Sequence, residues 1–260
     1  MKPNPKQVFE CRTSHGQLLK KRLMYLFPAV VFIATGIAML LLPEMLEGEE
    51  ELLPMMLLLF FGVGAMFILL SILRVKPSSA VIYEDCLVHA CGSKAMNLAF
   101  DNVKGISDET TVFLLWHIIP VGKTREITLV RKDGEKKSLT KNLVPSFNQF
   151  ADALGAALAT FLLKDLTKET IGSANISFGN ALELSDGKFI YDGGRKKGKV
   201  SIPVDAVRSI EVHDEEGYWL TLRGRPNNED GKAEELAMIR KDKALNIEAL
   251  YRIVAMFSAN

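Results

Sequence analysis

Two long apolar runs dominate the N-terminal part of the chain. Residues 23–42 and 55–73 contain no Asp, Glu, Lys, Arg or His. Each run is close to the roughly 20 residues that an α-helix needs to cross the hydrocarbon core of a bilayer. The pattern therefore predicts two transmembrane helices that form a hairpin, joined by an acidic extracytoplasmic loop over residues 43–54.

The charges around the two runs predict an orientation. The loop carries no Lys or Arg, whereas basic residues stand outside both runs, namely Lys20, Lys21, Arg22, Arg74 and Lys76. Positive charge beside membrane spans stays in the cytoplasm. We therefore expect a two-span plasma or inner membrane protein whose termini and soluble domains are cytoplasmic. Residues 1–22 form a polar, basic cytoplasmic tail without clear periodicity, in which Lys20, Lys21 and Arg22 are expected to contact anionic lipid headgroups.

Small residues within the runs predict close packing of the two helices. They are Ala34, Gly36 and Ala38 in the first run and Gly62, Gly64 and Ala65 in the second. Such residues let helix backbones approach each other. Packing of the hairpin on itself is the simpler expectation, and a homo-oligomer through the spans is the alternative.

Beyond residue 77 the period changes to that of β-strands. Strands are predicted at 79–83, 87–91, 95–100, 103–106, 126–130 and 137–140. A helix follows, with Ser146 as N-cap and Gln149 completing a capping box. Its apolar residues have helical spacing on one face: Phe147, Phe150, Ala151, Leu154, Leu158 and Phe161.

After a polar joint at residues 165–175 a similar order recurs. Strands are predicted near 181–184, 188–192, 200–204, 207–212, 218–222 and 236–239, and a helix begins at Asn246. Superposing the two halves places Asp101, Val103 and Ile106 on Asp205, Val207 and Ile210. The sequence therefore predicts an internal duplication.

Both halves of the soluble part resemble bacterial PH-like domains, including membrane-anchored ones. The resemblance lies in residues 81–88, in Phe100-Asp101-Asn102-Val103-Lys104-Gly105-Ile106, in the Lys132-Asp133-Gly134 turn and in the final helix. It implies an α+β fold with two tandem PH-like domains, at 78–165 and 175–260. Each would be a seven-stranded open barrel or roll closed by its C-terminal helix. Such modules typically contact proteins or lipids and are seldom enzymes.

Composition limits the classes of partner and of cysteine chemistry. The formal net charge is only +1, so the chain lacks the basic surface expected of a nucleic-acid binder. The three cysteines, Cys11, Cys86 and Cys91, lie on the predicted cytoplasmic side, where thiols stay reduced. We expect no structural disulfide and no nucleic-acid partner.

One basic segment has the spacing of a phosphate-binding loop without its context. Gly193, Gly198 and Lys199 fit the G-x-x-x-x-G-K pattern, but Val200 replaces the Ser or Thr that such a loop needs, and a strand follows instead of a helix. The sequence therefore favours a basic loop between strands. It is either merely solvated or in contact with lipid headgroups through Arg195, Lys196, Lys197 and Lys199.

No metal, cofactor or catalytic site is predicted. Cys86, His89 and Cys91 lie close in sequence, but side chains alternate along a strand, so Cys86 points away from the other two. Two ligands do not make a zinc site. No nucleophile stands beside a His and an acid in a recognisable motif.

An apolar run at residues 112–121 includes Trp116 and has no counterpart in the second half. One interpretation is a buried strand, because the run is apolar on both faces. The other is a contact surface for lipid or a partner, because Trp favours membrane interfaces and large exposed apolar patches mark contacts.

The leading functional hypothesis is a non-enzymatic, membrane-anchored scaffold or adaptor. Its cytoplasmic PH-like domains would bind a protein partner or anionic lipid headgroups. The alternative is an enzyme or accessory subunit of a membrane complex, with a pocket in a PH-like barrel. A pocket with clustered ionisable groups would favour this alternative.

Overall fold

A computed structural model describes residues 5–41, 52–115, 119–140, 144–180, 182–192, 198–213, 219–226 and 233–258. The chain divides into two compact units. The sheet unit comprises Met1–Cys11, Ala80–His89 and Met96–Asn260, and the hairpin unit comprises Arg12–Ser79 and Ala90–Ala95.

The hairpin unit contains two helices, α1 (His15–Leu41) and α2 (Leu53–Arg74). With 27 and 22 residues they are about 40 and 33 Å long. Both are long and apolar enough to cross a membrane. The start of α1 is set by a capping box, in which the Gln17 N–H donates to Ser14 Oγ at 3.2 Å and the Ser14 N–H donates to Gln17 Oε1 at 3.2 Å.

Small residues lie where the two helices meet, as predicted for Gly36 and Gly64. Both are buried, and a Cβ on Gly64 would lie 2.7 Å from Ile33 Cγ1. Phe32 adds ring contacts with Phe60 and Phe67, with centroids 5.9 and 6.1 Å apart. The other small residues expected at this contact are exposed in the structure: Ala34, Ala38, Gly62 and Ala65.

The strands and remaining helices come in two similar series. The first is β1 (Gln7–Arg12), β2 (Ser78–Tyr83), β3 (Cys86–Cys91), β4 (Lys94–Ala99), β5 (Val103–Leu115), β6 (Ile119–Arg131), β7 (Lys136–Thr140) and α3 (Phe147–Leu162). The second is β8 (Asn175–Ser177), β9 (Leu182–Ser185), β10 (Lys188–Asp192), β11 (Lys199–Pro203), β12 (Ser209–His213), β13 (Trp219–Pro226), β14 (Ala233–Arg240) and α4 (Ile247–Ser258). We call these series the first half and the second half.

Each half has a four-stranded sheet and a three-stranded sheet. The orders are β1-β2-β3-β4 and β5-β6-β7 in the first half, and β8-β9-β10-β11 and β12-β13-β14 in the second. A single-turn 3-10 helix links the two sheets of each half, at Phe100–Asn102 and Val204–Ala206. The described strands form separate antiparallel sheets and no closed barrel. The fold is mixed α+β with two N-terminal apolar helices.

Each half has its own hydrophobic core, closed by its C-terminal helix. Phe100, Phe150 and Leu154 are fully buried in the first core, and Phe189 and Leu250 in the second. The predicted apolar face of α3 and that of α4 are therefore confirmed, because the helical period places these side chains on one side.

Two strands were not predicted: β1 lies in the predicted tail, and β8 begins at the last residue of the predicted joint. These strands, β1 and β8, are the first strands of the two four-stranded sheets. Both are edge strands with mostly unburied side chains, and β8 has only three residues, so apolar alternation is a weak signal there. Cys11 and Phe9 of β1 nevertheless pack in the first core.

The apolar run at 112–121 is not one strand. It forms the ends of β5 and β6, which pair as antiparallel neighbours up to Leu115 and Ile119. The interpretation as a single buried strand is therefore wrong, because the chain reverses direction within the run. Trp116 lies outside the described residues.

Candidate functional site

A cleft of about 420 Å³ lies within the sheet unit, between the two halves. Strands β5 and β6 and helix α3 line it from the first half, and β12 and α4 from the second. Its lining residues are Ile106, Asp108, Arg125, Ile127, Ala151, Asp152, Gly155, Ala156, Val212, Lys241, Ile247, Glu248 and Tyr251. The cleft thus joins an apolar surface to a group of ionisable side chains.

Asn246, directly before α4, holds the two halves together beside this cleft. Its side-chain Oδ1 accepts from the Ile106 N–H at 3.1 Å, and its Nδ2 donates to the Lys104 and Ser177 carbonyls at 3.2 and 3.3 Å. Its own N–H donates to the Ile106 carbonyl at 2.9 Å. Gly105 permits this approach, because a Cβ there would lie 2.8 Å from Asn246 Nδ2.

Arg125 is the centre of the charged group on the first-half side. On the paired strands, Arg125 faces Thr110 and Asp108 faces Ile127, so the two charged residues are diagonal neighbours. The Arg125 Nε donates to both carboxylate oxygens of Asp108, at 2.8 and 3.1 Å, and Nη2 donates to Asp108 at 2.5 Å and to Asp152 at 2.7 Å. These bonds, those of Asp108 above all, raise the pKa of the Arg125 guanidinium.

Helix α4 supplies the charges on the other side. Glu248 accepts from Arg252 Nε at 3.1 Å, and Arg252 Nη1 donates to Thr160 Oγ1 of α3 at 2.8 Å. Tyr251 is half-buried, and burial, followed by the nearby Glu248 carboxylate, raises the pKa of its phenol. Most ionisable groups of the cleft are therefore hydrogen-bonded to charged side chains in or beside it.

The lining of the cleft combines apolar side chains with charged side chains that are already paired. The lining residues include no His, Cys or Ser that would serve as a nucleophile beside a base. Within the described part of the chain, no three His, Cys, Asp or Glu side chains come together as a metal site. The cleft lies between the halves, whereas the two cores are filled by apolar side chains.

A family of unknown function, DUF6585, matches residues 6–260. The chain belongs to the DUF6585 family. Its match begins at the start of β1 and so includes the strand before the apolar helices as well as both halves. No curated protein matches the chain. The family match does not support the PH-like resemblance, which stays a hypothesis.

The sequence-predicted contact residues of this DUF6585 chain lie outside the cleft. Lys20, Lys21 and Arg22 are exposed on the first turns of α1. Lys199 is exposed at the start of β11, where it lies opposite Asp192 of the neighbouring strand β10. The remaining predicted contacts lie outside the described residues: Trp116, Arg195, Lys196 and Lys197.

The segment with the spacing of a phosphate-binding loop is followed by strand β11. Gly198 has φ +63° and Lys199 is already paired in β11, so no helix N-terminus follows for a phosphate to approach. Cys11, Cys86 and Cys91 are free thiols. Burial raises the pKa of the Cys11 and Cys86 thiols, and at Cys86 the Asp85 carboxylate adds to this effect.

Sequence reasoning missed the cleft altogether. Asp108 and Arg125 fell outside the strands predicted at 103–106 and 126–130, so their pairing was hidden. The available signal was a pair of opposite charges on the two arms of a β-hairpin. This pair can be recognised only when β5 and β6 are predicted at their full length.

Proposed function

We propose that the chain is a membrane-anchored, non-enzymatic scaffold or adaptor. Helices α1 and α2 cross the bilayer, and the two halves, as PH-like domains that arose by duplication, face the cytoplasm. There they bind a protein partner or anionic lipid headgroups. Homo-oligomers through the spans are a further form of this proposal.

The observation that carries the proposal is the position of the helices within the chain. They are inserted between β1 and β2, which are neighbours in one sheet. In the sheet unit the Glu84 N–H donates to the Lys6 carbonyl at 3.1 Å, and in the hairpin unit the Thr13 N–H donates to the Ser78 carbonyl at 2.8 Å. Segments before and after the helices therefore pair, and they require the same side of a membrane. An even number of crossings satisfies this requirement.

The distribution of charge supports the cytoplasmic side. Lys20, Lys21 and Arg22 precede the apolar part of α1, and Arg74 ends α2, whereas the connection between the helices is rich in Glu. Basic residues beside spans are retained on the cytoplasmic side. Two residues separate β1 from α1 and three separate α2 from β2.

The order of elements supports the PH-like and duplication hypotheses. Each half has four strands, a 3-10 turn, three strands and a helix. Asp101 and Asp205 both lie in the 3-10 turns, and Val103 and Val207 are both buried directly after them. A single duplication of one ancestral module accounts for this repeated order of elements.

The cleft is where we expect a protein partner to bind. It combines apolar residues with charges that already have partners, so it offers a complementary surface without a reactive group. The second candidate function, an enzyme or accessory subunit, is favoured by one observation, the grouping of ionisable side chains in this cleft. The pairing of Arg125 with Asp108 and Asp152 argues for the scaffold.

Site-specific photo-crosslinking in intact cells tests the proposal. A photo-reactive amino acid replaces Tyr251, which lines the cleft and is 36% exposed. A matched replacement at the exposed Lys136 of β7 is the control. We expect discrete protein adducts from position 251 and none from position 136.

The alternatives give other outcomes. Lipid adducts alone from position 251 would favour the headgroup-binding form of the proposal. Absence of any adduct, together with a small molecule that co-purifies in stoichiometric amount and is lost in Arg125→Met, would overturn the scaffold in favour of the enzyme or accessory subunit.

A further inference from the structure

Basic side chains from four separate segments come together at one end of the hairpin unit. They are Arg12, Lys20, Lys21, Arg22, Arg74, Lys76 and Lys94, and all are exposed. The described part of this unit contains no Asp or Glu. We call these seven residues the basic collar.

Hydrogen bonds within the hairpin unit bring the segments together. Thr13, just before α1, accepts the Ser78 N–H through its Oγ1 at 3.1 Å and donates its own N–H to the Ser78 carbonyl at 2.8 Å. The start of α1 and the exit of α2 are thereby joined. The Gly92 N–H donates to the Pro77 carbonyl at 2.9 Å, which attaches the β3–β4 turn to the same end.

Lys94 is the member of the basic collar whose place beside the helix ends depends on the β3–β4 turn. Gly92 has φ +61°, and a Cβ there would lie 2.9 Å from Lys76 Cδ, so the aliphatic part of Lys76 lies against the turn. Lys94 follows in the first position of β4. The turn therefore adds Lys94 to the charge that flanks the helices.

The collar has two levels along the helices. Lys20, Lys21 and Arg22 stand directly before the apolar part of α1, and Arg74 stands directly after that of α2. Arg12, Lys76 and Lys94 lie beyond the helix ends, at the junction with the strands. In a spanning hairpin the first level is at the hydrocarbon boundary and the second at the depth of the phosphates.

We infer that the basic collar is a binding site for anionic phospholipid headgroups, to which the β3–β4 turn contributes. The inference rests on the proposed membrane location. Each basic residue near an anionic leaflet contributes about 1 kcal/mol, and the described part of the hairpin unit contains no Asp or Glu. Loss of two collar charges then weakens headgroup binding about 30-fold.

The test measures thermal unfolding of the full chain in non-ionic detergent with added phosphatidylglycerol or phosphatidylcholine. A ligand that binds the folded state raises the midpoint with concentration. We expect a saturable rise with phosphatidylglycerol and none with phosphatidylcholine. The double variant Lys76→Gln and Lys94→Gln should require about 30-fold more phosphatidylglycerol for the same rise.

The matched control is Lys136→Gln with Lys188→Gln, two exposed lysines of the sheet unit, and it should behave as the unchanged chain. Equal responses to both lipids, or equal losses in both double variants, overturn the inference. A full response to glycerol 3-phosphate alone also overturns it, because it indicates a soluble phosphate site. A chain that stays dispersed without detergent contradicts the membrane location itself, which separates that failure from failure of the collar.

Discussion

At the residue scale, Ser146 and Asn246 occupy corresponding positions in the two halves but differ in the hydrogen bonds that their side chains form. Ser146 and Asn246 each precede the C-terminal helix of their half, with φ of 49° and 56°. The predicted capping box at Ser146 is wrong, because its side chain makes no capping bond in this left-handed conformation. At Asn246 the same conformation turns the amide toward the other half. Local sequence indicates a helix start at both positions and cannot indicate this bond between the halves.

Asn246→Ala should lower the free energy of unfolding by about 3 kcal/mol. The change removes three side-chain hydrogen bonds and leaves the buried Ile106 N–H without an acceptor. Chemical denaturation of the purified chain measures the loss. Ser146→Ala is the matched control, since it keeps the positive φ and loses no capping bond, and its cost should stay below about 1 kcal/mol. Equal losses at both positions would contradict the assigned role of Asn246.

Tyr251 should make stability depend on alkaline pH. Burial and then Glu248 raise the pKa of the phenol, so the folded state favours its neutral form. This contribution is fully present below the unfolded pKa of about 10 and is lost as pH rises through the folded value. In Tyr251→Phe the unfolding midpoint should therefore fall less as the pH is raised above about 10. Parallel curves for the two chains would refute this account of Tyr251.

At the element scale, the helix hairpin shows how far small residues predict packing. Composition identified six small residues, but only Gly36 and Gly64 lie at the helix contact. The face of a helix that contacts its neighbour depends on that neighbour. A helix in lipid is apolar on all sides, so no polar face in its sequence marks the side that points away from the contact. The bulky neighbours Ile33 and Phe61 show the contact only once the helices are paired.

Gly64→Val should separate the two helices. A Cβ at Gly64 would lie 2.7 Å from Ile33 Cγ1 and 3.4 Å from the Ala29 carbonyl, whereas one at Gly62 meets nothing within 4 Å. We expect the unfolding midpoint of the full chain in detergent to fall by several degrees for Gly64→Val and to change little for Gly62→Val. The reverse order would show that the helices pack through another face.

Strand β1 makes the first half discontinuous in sequence. Removing residues 1–76 would delete β1 together with the helices, and with it the buried Cys11. Thr13 and Ser78 are already hydrogen-bonded, so a two-residue Asn-Gly turn in place of residues 14–77 suits the antiparallel pair. Strand β1 was missed because only one of its six side chains is buried, and β8 because alternation over three residues hardly exceeds chance.

The Asn-Gly variant should be soluble and unfold cooperatively. A chain that begins at Ser78 should be less stable by about 2 to 4 kcal/mol, because it loses the burial of Phe9 and Cys11. Denaturation of the two purified chains gives the difference. If the shorter chain is equally stable, β1 does not belong to the first core.

At the scale of the whole molecule, sequence patterns located the elements better than their assembly. The apolar faces of α3 and α4 and most strands followed from local period, because burial on one side leaves that mark. The cleft is lined by residues as distant in sequence as Asp108 and Glu248. The basic collar depends on the pairing of Thr13 with Ser78. The cleft leaves no local pattern in the sequence, whereas five of the seven collar residues already flank the apolar runs there: Lys20, Lys21, Arg22, Arg74 and Lys76.

Membrane topology is the central claim, and labelling with a membrane-impermeant maleimide on intact cells tests it most directly. The unchanged chain has three cysteines, all on the proposed cytoplasmic side, and the variant Glu47→Cys adds one between the spans. The account predicts that only Glu47→Cys is labelled in intact cells, and that the unchanged chain is labelled after permeabilisation, at the partly exposed Cys86 and Cys91. Labelling of the unchanged chain in intact cells, with no additional label in Glu47→Cys, would contradict it.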